Sequence, residues 1–372
     1  MPRTFPAGTM EFIPVGSHFF RLLFNALASA HTSICLEYYI IRADQTGYLL
    51  AESLHAACLR GVTVYLIYDY IGCLDTPESY FNTLRSYGVR CIAFNPPSFR
   101  RGIRWFDRRD HRKLAIVDGT VAFLGGRNIG NEYADVSGET PLFYDVGFTL
   151  SGSAVTYLSY LFSELWTLEQ GLPPGLPRLP ALPAGLPADG NAAISLVSGG
   201  PHHRRSLIRS AFRVAMATAG TELLIVNPYF LPGPLILRSL LHASRRGVHV
   251  RLLLPAESDM PVVRLLSRGT YDQLLRAGVE IYEMQGQILH AKLMLIDGIR
   301  SVIGSANMDQ RSFHRNYEIN AHIHCRIFSS QVRDHLLDVF SHARQISIDE
   351  HARRGFAERL IERLLRPLSW FL

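Results

Sequence analysis

Several things are scarce in this 372-residue chain, and each scarcity narrows what it can be. Cysteine is one: Cys35, Cys58, Cys73, Cys91 and Cys325 are odd in number and show no C-x-x-C spacing. A disulfide framework or zinc ribbon is therefore not the organising device, and a reducing compartment suits the composition. Long apolar runs are absent too, none approaching the ~18–20 residues a spanning helix needs. The N-terminus, MPRTFPAGTMEFIPVGSHFFRLLF, lacks the charged, apolar and small-residue succession of a signal peptide. These absences predict a protein made and kept in the cytoplasm, meeting membrane only peripherally. Charge of one sign is hardly in excess, Lys plus Arg exceeding Asp plus Glu by 38 − 32 = 6. That modest basic balance suits an anionic partner, phospholipid headgroup or nucleic acid, without choosing between them. Hydrophobic content of 48% is enough for two ordinary domains.

What is present is a pattern used twice. His111-Arg-Lys113-Leu-Ala-Ile-Val-Asp118-Gly119 and His290-Ala-Lys292-Leu-Met-Leu-Ile-Asp297-Gly298 both read H-x-K-x-x-x-x-D-G. GGRN follows at 125–128 and GSAN at 304–307, and 290 − 111, 297 − 118 and 307 − 128 all equal 179. The repeat extends outward from there. Ile34–Ile41 reads as a strand, about Leu49–Leu59 as a helix closed by Arg60-Gly61, and Val62–Tyr68 as a strand. The second copy has Leu223–Phe230, a helix near 235–245 closed by Arg246-Gly247, and Val248–Leu254. A further helix ends at a glycine before a strand in each copy, at Gly88-Val89 and Gly278-Val279. Alternating signals of this kind predict α/β layers with helices over a buried sheet.

The predicted domains are an N-terminal repeat over 1–170, a linker over 171–190, a C-terminal repeat over 191–345 and an amphipathic tail over 346–372. The linker, GLPPGLPRLPALPAGLPADG, is too rich in proline and glycine for a helix or central strand. From about Val332 the pattern is helical, with Arg359, Arg363 and Arg366 among Leu360, Ile361, Leu364 and Leu365, and it ends Leu368-Ser-Trp370-Phe371-Leu372. Such a tail suits a bilayer interface, as an alternative to packing on its domain. The copies differ in one spacing: Gly88 to His111 is 23 residues, Gly278 to His290 only 12. The extra residues bring Arg100, Arg101, Arg104, Arg108 and Arg109 beside Phe99, Trp105 and Phe106, a loop suited to a phosphate-rich interface.

On a strand, residues two apart face the same way, so His111 projects with Lys113 and His290 with Lys292. Asp118 and Asp297 complete the motif but have the opposite parity and precede a glycine, which points to a turn or supporting part. Two repeats packed with pseudo-twofold symmetry would bring both His-Lys pairs to one cleft. Two imidazoles and two ammoniums need an anion there, and a phosphodiester fits. The lysines would neutralise non-bridging oxygens while one His attacks phosphorus and the other protonates the leaving oxygen. Asn128, Asn307 and Ser305, beside glycines, are candidate phosphate ligands. Asp145 in FYDVGF and Glu318 in RNYEIN sit in apolar stretches and are candidates for orienting the histidines. No ligand spacing accompanies either motif, so no metal or other cofactor is expected. His202, His203, His322 and His324 fall outside the repeat and read as surface or strand residues.

The paired motifs, their GGxN and GSxN flanks and the tandem α/β repeat resemble the phospholipase D superfamily over about Glu11 to Ser341. Within it, LEYYI at 36–40, NPYFLP at 227–232, RGVHVRLLLPAESD at 246–259, LLRAGVEIYE at 274–283 and GSANMDQRSFHRNYEIN at 304–320 look like bacterial cardiolipin synthases of a short form without N-terminal membrane spans. The resemblance implies two tandem phospholipase D-like α/β repeats, each with a central mixed sheet flanked by helices. It also implies transfer of phosphatidyl from phosphatidylglycerol to a histidine, then to a second phosphatidylglycerol, giving cardiolipin and glycerol. In such relatives the N-terminal His is often the nucleophile, which assigns that part to His111 and acid/base work to His290. The residues themselves are nearly symmetric. The implied partners are phosphatidylglycerol and the cytoplasmic face of the bacterial inner membrane. The other readings are a phosphodiesterase acting on phospholipid or nucleic acid, and an inactive lipid-binding scaffold. Against nucleic acid, the arginines cluster in one loop and the tail and form no long basic stripe.

Overall fold

The computed structural model describes residues 3–99, 104–136, 142–171, 192–201 and 206–365, with 102, 174, 367 and 369 besides. The chain divides into two compact units, Arg3–Leu196 and Val197–Leu372 with Met1–Pro2. Most of the 171–190 linker, Arg100, Arg101, His202, His203, Trp370 and Phe371 lie outside the described residues.

In the N-terminal unit a seven-stranded sheet runs in the order Met10–Ile13, Gly147–Ser151, Val121–Gly125, Lys113–Val117, Ser33–Tyr38, Thr63–Asp69, Arg90–Phe94. Ser33–Tyr38, Thr63–Asp69 and Arg90–Phe94 are parallel, and the strands on the other side are antiparallel. Every residue of Ser33–Tyr38 is buried, as expected of a strand flanked by others and covered on both faces. Helix Gln45–Leu59 makes the parallel crossover. Asp44 caps it by accepting from the Gly47 N–H, and Gly61, at φ +86°, follows its last turn.

The C-terminal unit repeats this plan. Its nine-stranded sheet runs Arg3–Pro6, Ala193–Gly199, Glu318–His324, Arg300–Gly304, Leu293–Ile296, Glu222–Val226, His249–Pro255, Glu280–Met284, Arg344–Ile346, with the same parallel triplet. The crossover helix is Gly233–Arg245, and Gly247 again takes positive φ after it. A detail no sequence pattern announced recurs in both copies. The arginine before each closing glycine turns back onto the carbonyls that end the preceding helix: Arg60 donates to Leu27 and Ala30, Arg246 to Met216 and Ala219.

The tail departs from the prediction. Helix Arg326–His342 stops, and Arg344–Ile346 becomes an edge strand paired antiparallel with Glu280–Met284, across the 345/346 boundary drawn from sequence. Helix Phe356–Leu365 then docks on its own unit through Arg268–Glu358 at 3.3 Å, and Arg354 pairs with Glu362 at 3.0 Å within the tail. Leu360, Ile361 and Leu364 stay exposed. No described helix is long and apolar enough to cross a membrane.

Candidate active site

Each His-Lys pair lies at the mouth of a strand. Lys113 opens Lys113–Val117 with His111 just before it, while His290 and Lys292 both precede Leu293–Ile296. Strand parity still serves, because the extended entry keeps the two side chains together. Lys113 Nζ donates to the His111 carbonyl at 2.7 Å, and Lys292 Nζ contacts His290 Nδ1 at 3.0 Å and donates to the His290 carbonyl. Both pairs are buried. Tyr39 packs its ring edge-to-face on His111, centroids 4.9 Å apart, and Lys113 Nζ sits 5.1 Å from the same ring.

The motif aspartates serve the turns. Asp118 and Asp297 have φ near +50°, are followed by glycines of positive φ, and open the three-residue hairpin loops 118–120 and 297–299, where Thr120 N–H donates to Val117 and Ile299 N–H to Ile296. The Asp118 carboxylate accepts from the N–H groups of His31, Thr32 and Ser33, and Asp297 from Gly220, Thr221 and Glu222. Partial burial opposes ionisation of both, but these donors outweigh it and hold both below the ordinary aspartate value. Each thus ties the motif hairpin to the start of the neighbouring strand.

Two candidate phosphate ligands have other work. Ser305 is fully buried; its hydroxyl donates to Glu318 and accepts from the Ile319 N–H at 3.0 Å. Asn128 accepts from the Ile40 N–H at 3.2 Å and donates to the Tyr133 hydroxyl at 3.0 Å. The Ser305 hydroxyl is committed to the framework, and so are the Asn128 oxygen and one of its two N–H groups, because a buried polar atom left without a partner is costly. Asn307 differs: its Oδ1 is buried with no partner among the described residues.

The two carboxylates that the sequence offers for orienting the histidines are buried and differently held. Glu318 receives Ser305, Ser312 at 2.8 Å and Asn316 at 3.3 Å. Asp145 accepts from the Val146 N–H at 2.7 Å and lies so close to Gly126 that a Cβ there would stand 2.4 Å from its Oδ1. Gly126 and Ser305 occupy the same place in the two motifs. One leaves room for an aspartate; the other reaches toward a glutamate.

Sequence reasoning missed a charged cluster around His111. Arg109, expected in a phosphate-facing loop, is 3% exposed and pairs with Asp69 at 3.0 Å. Asp69 also accepts from the N–H groups of Asp110, Ile71 and Gly72. Burial pushes it up to about 6 even so, with Arg109 and those donors pulling the other way. Arg112 reaches Glu37 at 3.4 Å, its own N–H donates to Asp110 at 3.3 Å, and Glu37 and Asp110 are fully buried. The available signal was a glutamate inside the apolar run ICLEYYII. Of the loop's aromatics, Phe99 and Phe106 are exposed.

Two mixed α/β sheets, each delivering a lysine-backed histidine from a strand mouth, define a tandem phospholipase D-like protein. The profile described as "Cardiolipin synthase, PLD-like domain" matches residues 23–166 and 213–340. The chain is 35% identical over 358 residues to the cardiolipin synthase of Geobacillus kaustophilus (strain HTA426), an alignment covering 95% of this chain and 70% of that one. It is 34% identical over 360 residues to cardiolipin synthase A of Pseudomonas putida (strain GB-1), covering 95% and 73%. The crystal structure of phosphatidylserine synthase from Haemophilus influenzae Rd KW20 is similar in fold, with a TM-score of 0.78 at 13% identity over 99% of this chain and 95% of that one. The chain belongs to the phospholipase D-like cardiolipin synthase family.

Proposed function

We propose that this protein is a phosphatidyltransferase that makes cardiolipin from two molecules of phosphatidylglycerol. The observation that carries the reading is the doubled His-Lys pair, buried and lysine-contacted in both copies, in a chain one-third identical to cardiolipin synthases over 95% of its length. Each motif offers a single imidazole, whereas displacement at a phosphodiester needs a nucleophile and an acid. The reading therefore has His111 and His290 serve one phosphorus. His111 attacks, the bond from phosphorus to the headgroup glycerol oxygen breaks, and His290 gives that oxygen its proton, releasing glycerol. His290 then takes the proton of a headgroup hydroxyl on a second phosphatidylglycerol. That oxygen attacks phosphorus, the phosphorus–nitrogen bond breaks, and cardiolipin leaves. Lys113 and Lys292 neutralise the non-bridging oxygens, where charge builds up. Glu318 and Asp145 orient the imidazoles, with Ser305 acting through Glu318. No metal enters this sequence. The exposed Phe99, Phe106, Leu360, Ile361 and Leu364 suit peripheral contact with the cytoplasmic face of an anionic inner membrane.

The test is mass spectrometry of lipid products from purified protein and phosphatidylglycerol vesicles in EDTA, with DNA in a parallel reaction. Cardiolipin and glycerol in equal amounts are expected. Phosphatidic acid alone would make it a hydrolase, and cut DNA with unchanged lipid would overturn the proposal. Flotation with the same vesicles checks the membrane contact, which F99S/F106S should weaken.

A further inference from the structure

The two histidines are embedded differently. Strand register fixes the correspondence: Glu37 faces Leu114 as Val226 faces Leu293, and Asp69 lies two residues beyond the partner of Glu37, as Pro255 does for Val226. Arg109, Asp110 and Arg112 correspond to Ile288, Leu289 and Ala291. Every charged residue of the first set has an apolar counterpart in the second, and all of those counterparts are buried.

Around His111 the charges interlock. Asp69 holds Arg109 and the Asp110 N–H, fixing the chain before the histidine. Glu37 holds Arg112, fixing the chain after it. Glu37 and Asp110 thus meet on Arg112, one on its guanidinium and one on its N–H, and Glu37 Oε2 and Asp110 Oδ2 are buried with no donor among the described residues. Two fully buried carboxyls with one guanidinium between them and an undonated oxygen each keep one proton, because two anions there repel and neither finds water. We propose that Glu37, Asp110 and Arg112 form a positioning network, with one proton shared between the two carboxyls, that sets His111 apart from His290 as the nucleophile.

The charge count explains the use of such a device. With one proton shared, the two carboxyls and Arg112 sum to zero, and Asp69 with Arg109 also sums to zero. Loss of the shared proton would leave a net negative charge beside His111, favouring its protonated, non-nucleophilic form and repelling a phosphodiester. Burial raises Glu37, with Arg112 opposing; burial and then the charge on Glu37 raise Asp110, again against Arg112. Cys35 on the same strand as Glu37, Tyr157 from helix Ser153–Gln170 and the paired Asp69 also face the network. Burial keeps the thiol and the phenol protonated, so they add no charge. Around His290 the network's place is taken by Leu289, Ala291 and Val226, and Lys292 lies on the ring nitrogen itself.

This inference rests on the phosphatidyltransferase reading, and one experiment separates the two. Full-length wild type, E37L, E37Q and D110N are assayed with phosphatidylglycerol vesicles for kcat, KM, pH profile and melting temperature. Reactions quenched at neutral pH are mapped by mass spectrometry for the phosphatidyl-histidine. The wild-type adduct should map to His111. E37L should lose kcat ~30-fold or more with KM within about threefold, and E37Q, which keeps a hydrogen-bonding group there, should recover most of it. D110N should remove the alkaline fall in kcat. The inference is overturned if the adduct maps to His290, or if all three variants keep the wild-type pH profile while activity merely follows melting temperature. A wild type that gives neither adduct nor cardiolipin overturns the functional reading itself.

Discussion

The two units answer one requirement, an imidazole held at a strand mouth, with different supports. In the N-terminal unit the polar investment lies in the chain on either side of the histidine: Asp69, Arg109, Asp110, Arg112 and Glu37, all buried. In the C-terminal unit those places are apolar, and the investment has moved to the distant carboxylate, where Ser305, Ser312 and Asn316 converge on Glu318. Repeating a motif therefore preserves the His-Lys pair while the frame around it is free to diverge. The single step from Gly126 to Ser305 shows how. A carboxylate pressed against a bare Cα and a carboxylate gripped by a hydroxyl are alternative ways to fill one space.

The comparison breaks most sharply at the histidines. H111A should abolish both product and adduct, whereas H290A should still form some adduct and fail to resolve it, each losing ~10³-fold or more in turnover. Equal adduct in both variants would erase the division of labour. Next in size is D69N, which leaves Arg109 buried without its anion. A loss of about 3–5 kcal/mol in urea unfolding is expected, as for other buried pairs deprived of one partner. A loss below about 1 kcal/mol would mean that Arg109 finds water or another acceptor. The smallest effect is one of pH, and it belongs to the C-terminal unit. Burial pushes Asp309 up to about 7, with the Ser312 N–H opposing and the charge on Glu318 adding to the rise. Its counterpart in the first motif is Gly130, which has no carboxyl. Because the folded value lies above the unfolded one, the folded state binds the extra proton, and that stabilisation is complete below about pH 4 and lost as pH rises through 7. Melting temperature should therefore fall between pH 5 and pH 8 in the wild type, and by less in D309N. An identical fall in both would remove Asp309 as its source.

Much of the fold was legible because the alternation that encodes it is local. Apolar runs of strand length, glycines after helices and a constant offset of 179 placed both parallel triplets and both motif hairpins to within a few residues. The tail was misread at Arg344–Ile346, where a short edge strand forms because the exposed edge of Glu280–Met284 offers it hydrogen bonds. Arg109 was misread for a related reason: an arginine in a basic, aromatic loop looks solvent-facing until Asp69, 40 residues earlier, is brought beneath it.

The sequence by itself determined the placement of each His-Lys pair, since His-Lys at i and i+2 before an apolar strand is a local arrangement that the backbone cannot undo. It also determined the turn role of Asp118 and Asp297, through parity and the following glycine. Only the tertiary structure decided what each polar neighbour does. The Ser305 hydroxyl was committed to Glu318, the Asn128 oxygen to Ile40 and Glu37 to Arg112 because the cost of burying a polar group depends on which partners a distant part of the chain delivers. No spacing along the sequence records those partners.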